Sequence, residues 1–136
     1  MLRFASSRRP IYGAALREGD AMANTGEALR IKLSGAYGIE RAAELASALR
    51  AALQDAKGRP GLLLELDEVE ELDLPAVQLL YAARRSCVRR GLAFGFTGAI
   101  NPEVSRRLFS GGLVSRRVAD GEALAEALIG FSAIGA

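Results

Sequence analysis

Apolar and polar residues alternate over residues 28–33, where Leu29, Ile31 and Leu33 are separated by Arg30 and Lys32. This period of two predicts a half-buried strand, ended by Ser34-Gly35. Over residues 39–56 the period lengthens. Ala42, Leu45, Ala46, Leu49, Leu53 and Ala56 fall on one face, and Arg41, Glu44, Arg50 and Gln54 on the other. That is an amphipathic helix, stopped by Gly58 and Pro60. Residues 61–66 are a nearly continuous apolar run, suited to a central strand covered on both faces. An acidic loop follows and leads into a helix over residues 74–90, with Asp73 at the N-cap and Pro75 in the first turn. Residues 92–97 predict a third strand. Asn101-Pro102-Glu103 reads as the N-cap, proline and acid that open another helix, ended by Gly111-Gly112. Residues 113–118 make a weak edge strand. Asp120 then caps a last helix carrying Leu124, Leu128 and Phe131 at helical spacing.

Strands and helices thus take turns along the chain. Such alternation predicts an α/β fold, a mixed and mostly parallel sheet flanked by about four helices. Residues 27–130 form this single domain. Residues 1–26 are an N-terminal extension or edge strand, with residues 11–16 as the strand candidate. Residues 131–136 are a tail, frayed from Ser132. Met22 is an alternative start, which would make residues 1–21 an upstream extension.

Composition narrows the chemistry. The 136 residues suffice for one core, and half of them are apolar. There is no His, which removes the commonest general base and metal ligand. Cys87 is the one cysteine, so no internal disulfide or thiolate metal site is expected, and it reads as a buried small hydrophobe. No catalytic residue, metal or cofactor is therefore expected, and the chain reads as a non-enzyme. No apolar run approaches the roughly 20 residues of a membrane span, and no secretory signal is seen, so a cytoplasmic protein without direct membrane insertion is expected.

Charge is polarised rather than large. The net charge is +2. Six acids fall within nine residues, namely Glu65, Asp67, Glu68, Glu70, Glu71 and Asp73, whereas residues 84–117 hold eight Arg and one acid. The Arg doublets lack exposed aromatic partners and read as solvated helix faces, so no nucleic acid is expected. In open α/β sheets partners bind beyond the carboxyl ends of strands. Three turns converge there, at residues 35–39, 67–73 and 98–102, and the acidic one stands out as a partner-docking edge.

The segment from Leu62 through Asp67, Leu72, Asp73, Leu74, Pro75 and Ala76 to Leu80 resembles the signature of STAS domains, the family of sulfate transporters and anti-sigma factor antagonists. Its pattern is an apolar strand ending in Asp, then an apolar residue, Asp, two small residues often Ser or Thr, Gly, and a Leu-rich helix. Residues 29–35 resemble the family's earlier strand and glycine, and residues 101–113 its late helix. The resemblance covers about residues 27–130. It implies a protein-binding regulatory role, often partner switching with a serine kinase that doubles as an anti-sigma factor.

The departures are specific. By this likeness the phosphorylatable Ser or Thr position is Leu74, followed by Pro75, and neither carries a hydroxyl. The family's Gly becomes Ala76, and its acidic residue in the first strand-to-helix turn aligns with Gly38. The expected partner-binding set is Asp67, Glu70, Glu71, Asp73, Leu74, Pro75, Gln78 and Gly38, with no phosphorylation at Leu74. The leading expectation is an anti-sigma-antagonist-like adaptor docking a kinase-like or other signalling protein and acting in regulation of transcription. An accessory subunit of a membrane transport complex and a small-molecule or nucleotide sensor are the alternatives. Partner identity and oligomeric state, including a homodimer, stay open.

Overall fold

The computed structural model describes residues 26–134. The expected strand over residues 11–16 and the start at Met22 lie outside them. In chain order the elements are β1 (Leu29–Tyr37), a 3-10 turn (Ile39–Arg41), α1 (Ala42–Asp55), β2 (Gly61–Leu72), α2 (Leu74–Arg89), β3 (Ala93–Thr97), α3 (Pro102–Ser110) and α4 (Gly121–Ala127). Among the described residues three parallel strands in the order β1-β2-β3 form the sheet and four α-helices flank it, the expected α/β fold. Antiparallel pairing among the described residues is confined to the single bridges Ala99–Asp120 and Val114–Leu128.

The core follows the sequence period. Leu29, Ile31 and Leu33 of β1, Leu62, Leu64 and Leu66 of β2, and Phe96 of β3 are buried. Helix α1 packs on β1 and α2, α2 on β2 and β3, α3 against β2, and α4 against β3. The opposite sheet face carries charge. Arg30 pairs with Glu65 at 3.5 Å, and Lys32 pairs with Asp67 at 3.6 Å and Glu68 at 3.4 Å. The central strand is therefore apolar on one face and ion-paired on the other, rather than apolar on both.

The acids form no loop. Strand β2 runs on to Leu72, pairing with β1 through Ser34–Glu68, Gly35–Val69, Ala36–Glu71 and Tyr37–Leu72. Parallel pairing gives the backbone its hydrogen bonds, and Val69 and Leu72 are buried anchors, so poor strand propensity is overridden. Two register shifts absorb the mismatch. Gly35 sits there at φ +87°, a conformation that favours glycine. Arg41 holds this bulged edge. Its guanidinium lies over the Tyr37 ring, donates to the Ser34 and Ala36 carbonyls, and binds Glu44 through two nitrogens.

Two expectations at the C-terminal end fail for local reasons. Residues 113–118 make no strand, because their donors are satisfied elsewhere. Val118 N–H donates to the buried Ser105 hydroxyl, and Ser115 N–H to the Ala127 carbonyl. Helix α4 stops at Ala127, yet Leu124, Leu128 and Phe131 are all buried. Phe131 is not tail but core. It packs among Tyr81, Phe94 and Phe96, and Arg84 stacks on its ring while donating to the Phe131 and Ile134 carbonyls. Gly121 closes α4 onto the sheet so tightly that a Cβ would meet the Phe96 and Thr97 backbone at 2.5 Å.

Candidate functional site

The extended β2 pulls the predicted site apart. Six residues of strand, about 20 Å, separate Asp67 from Asp73. Asp67 lies on the charged sheet face, paired with Lys32 and beside Gly98. Glu71, Asp73, Leu74 and Pro75 gather instead where β2 enters α2. Gly38 meets them there, because the Asp73 N–H donates to the Tyr37 carbonyl. Asp73 Oδ2 lies 3.6 Å from the point where a Gly38 Cβ would stand. Gln78 is exposed one turn further along α2, and Glu70 is exposed on the strand.

The acidic run is thus two groups. Glu65, Asp67 and Glu68 are neutralised by β1 cations. Glu70, Glu71 and Asp73 form no ion pair among the described residues. Glu40, absent from the sequence expectation, joins them: its carboxylate folds over Gly38. The signal was present, since an acid two residues past a glycine that replaces an acid can reach back over it.

Asp73 holds the N-cap position of α2 without capping it. Its side chain accepts no helix N–H, and Oδ1 is buried with no hydrogen-bond partner. Pro75 removes one donor. An N-cap side chain accepts from the N–H of the second or third helical residue. Leu74 is the first and Pro75, which has no N–H, the second; the third, Ala76, keeps its N–H, but the Asp73 side chain does not accept it. Helix α3 shows the contrast. There Pro102 is first, Glu103 is second, and Asn101 Oδ1 accepts the Glu103 N–H at 2.8 Å. Asp120 caps α4 in the expected way, accepting the Ala123 N–H at 2.8 Å.

Beside this junction lies an open cleft of about 270 Å³, between the start of α2 and the end of α3. Leu72, Leu74, Leu108 and Leu113 give it apolar walls, with Glu71 and Asp73 on one rim and Arg107 on the other. Arg107 is engaged with Glu103 at 2.9 Å. Arg106 binds the same carboxylate, and the hydrogen bonds from Arg106 and then Arg107 hold the Glu103 carboxyl down at about 2. Leu74 is 50% exposed and Ile39, in the neighbouring turn, 70%, so both leave large apolar side chains at the surface. The contribution of α3 and the turn after it to the cleft, from Arg107, Leu108, Gly111 and Leu113, is made by packing between distant elements, and the motif over residues 101–113 is the one sequence signal near it.

Among the described residues no group of three or more His, Cys, Asp or Glu is placed to hold a metal ion. None of the described helices is long and apolar enough to cross a membrane. Cys87 is fully buried in α2, and burial pushes its thiol up.

A family model described as "Mlab, STAS domain" matches residues 21–113. The chain belongs to the STAS family. The match runs from before β1 to just past α3 and so takes in every part of the junction. No curated protein and no solved structure matches the chain. In this STAS domain the junction presents an apolar residue, an acid that caps no helix N–H and an open cleft in one place, at the end of the sheet.

Proposed function

We propose that this STAS domain is a non-enzymatic, cytoplasmic, protein-binding regulatory module, similar to anti-sigma factor antagonists. It docks a kinase-like or other signalling partner through the end of β2 and the start of α2. Gly38, Glu70, Glu71, Asp73, Leu74, Pro75 and Gln78 form the docking face, and Asp67 supports it from the sheet. No phosphate switches the site at position 74, because Leu74 and Pro75 carry no hydroxyl. The observation that carries the reading is Leu74, a half-exposed apolar residue beside a ready cleft, where a buried anchor dominates binding energy.

The test is capture of partners from the native cell with the full chain, using Leu74→Arg beside Lys57→Glu, a remote surface control. Loss of a stoichiometric partner by about tenfold or more with Leu74→Arg alone is expected. Equal capture by both variants refutes the docking face. The partner's class sorts the roles: a kinase-like protein fits the signalling role, and a transport ATPase makes the domain an accessory subunit of a membrane complex. Stabilisation by nucleotide alone would favour a sensor.

A further inference from the structure

We infer that the docking face receives a basic amphipathic segment of the partner, with one apolar side chain in the cleft and an Arg or Lys on the Asp73 carboxylate. This rests on the docking reading and adds the chemistry of the occupant.

Three observations carry it. The acids of β2 divide by pairing, and those at the docking end, Glu70, Glu71 and Asp73, are the ones left without a cation among the described residues. The carboxylate of Glu40 leans into the same place over Gly38. Glu40, Glu71 and Asp73, unpaired among the described residues, lie at the junction with exposed Ile39 and Leu74, and Glu70 is exposed on the strand leading to it; together they are the complement of a segment that alternates cations with apolar anchors.

The second observation is the carboxylate oxygen Asp73 Oδ1, buried and unpartnered. A buried acceptor without a donor is costly, and a donor from outside relieves it. Pro75 removes one of the two cap donors and the side chain engages neither, so the oxygen stays available to a partner. The residue as a whole is only partly buried, at the rim of the open cleft.

The third is the opposite rim. Arg106 and Arg107 are both committed to Glu103, so the near cations do not neutralise Glu71 and Asp73 across the cleft. The chain thus carries its own balancing charge close by and does not use it there.

The experiment uses the full chain and three synthetic helical peptides with identical Leu positions and with Arg, Gln or Glu at the polar ones. Binding is read by fluorescence anisotropy. The Arg peptide should bind about tenfold or more tightly than the Gln peptide and weaken as salt shortens the Debye length to a few ångströms. The Glu peptide should not bind. Combined Glu70→Gln, Glu71→Gln and Asp73→Asn should abolish the preference, whereas Glu122→Gln with Glu126→Gln on α4 should leave it intact. Pro75→Ala should also weaken the Arg peptide, because the helix then claims Asp73. Circular dichroism confirms that each variant is folded.

Equal affinity for the Arg and Gln peptides overturns the inference, as does an equal loss from the α4 control. A self-association abolished by the same three neutralisations would assign the face to a second copy and overturn it too. A native partner lost with Leu74→Arg but indifferent to salt and to the neutralised acids overturns the charge assignment alone and leaves docking standing.

Discussion

Three of the helix N-cap positions, Asp73, Asn101 and Asp120, carry side chains able to cap, and the structure gives them unequal energies. Asn101→Ala removes a 2.8 Å bond to the Glu103 N–H, and Asp120→Ala a 2.8 Å bond to the Ala123 N–H. Each should cost about 1 kcal/mol, the usual value for a working cap. Asp73→Ala removes no bond to the helix. It forfeits about 0.3–1 kcal/mol of favourable charge–dipole interaction. It also deletes a buried, unpartnered oxygen, which returns about 1 kcal/mol, the low end for a half-buried residue. The expected net change is close to zero.

The cycle with Pro75 tests how much of this the missing donor accounts for. Pro75→Ala supplies the missing N–H, so Asp73→Ala made in that background should cost about 1 kcal/mol. The coupling between neighbours is then about 1 kcal/mol, well above the scatter of additive pairs. The chain has no Trp, so urea unfolding is followed by far-ultraviolet circular dichroism. In thermal melts 1 kcal/mol corresponds to roughly 4 °C for a domain of this size. The reasoning fails if Asp73→Ala costs as much as Asn101→Ala with Pro75 in place, or if the cycle shows no coupling.

Two further outcomes follow from the same geometry. Cys87 is fully buried and its thiol is raised by burial, so an aromatic disulfide reagent at neutral pH should label it only at the rate of global or local opening, and fast labelling of the native chain would contradict the packing of α2. The Glu103 carboxyl, held at about 2 against an ordinary 4.5, binds its proton less readily folded than unfolded; its stabilising share is full above 4.5 and fades as pH falls towards 2, so the urea midpoints of the native chain and Glu103→Gln should converge over that window, and a constant gap would refute it.

Local signals in the sequence were the reliable ones. The period of two in β1 and the helical faces of α1 and α2 became strand and helices, and Asn101 and Asp120 became caps. What escaped was decided by distant partners. Strand β2 runs through five consecutive positions that include Asp67, Glu68 and Glu70, residues disfavoured in strands, because β1 supplies both the hydrogen-bond ladder and the cations Arg30 and Lys32. Apolar residues at 66, 69 and 72 no longer alternate, since a register shift lies between them. Phe131 escaped for the same reason: its neighbours Tyr81, Phe94 and Phe96 come from two distant elements, α2 and β3. The uncapped Asp73, by contrast, was readable. An N-cap acid followed two residues later by proline has lost one of its two donors before any fold is known.

That pair of residues also bears on how the docking face is controlled. The family's switch, as the resemblance implies it, adds a phosphate where this chain has Leu74. A phosphate brings about two negative charges at neutral pH. Here it would arrive beside Asp73, Glu71 and Glu40, which have no ion-pair partner among the described residues. Negative charge at this helix start is therefore already built in. In the proposed reading the Leu-Pro pair exchanges a reversible charge for a permanent one: Leu74 supplies the apolar anchor, and Pro75 withholds one of the two helix donors from the Asp73 carboxylate, which the helix leaves free for a partner. Such a site is on whenever a basic partner is present, and its natural regulators are those that change the partner's charge or concentration. Acetylation or phosphorylation of the partner's own segment would weaken docking, whereas the kinase reaction familiar from the family would find no acceptor at position 74.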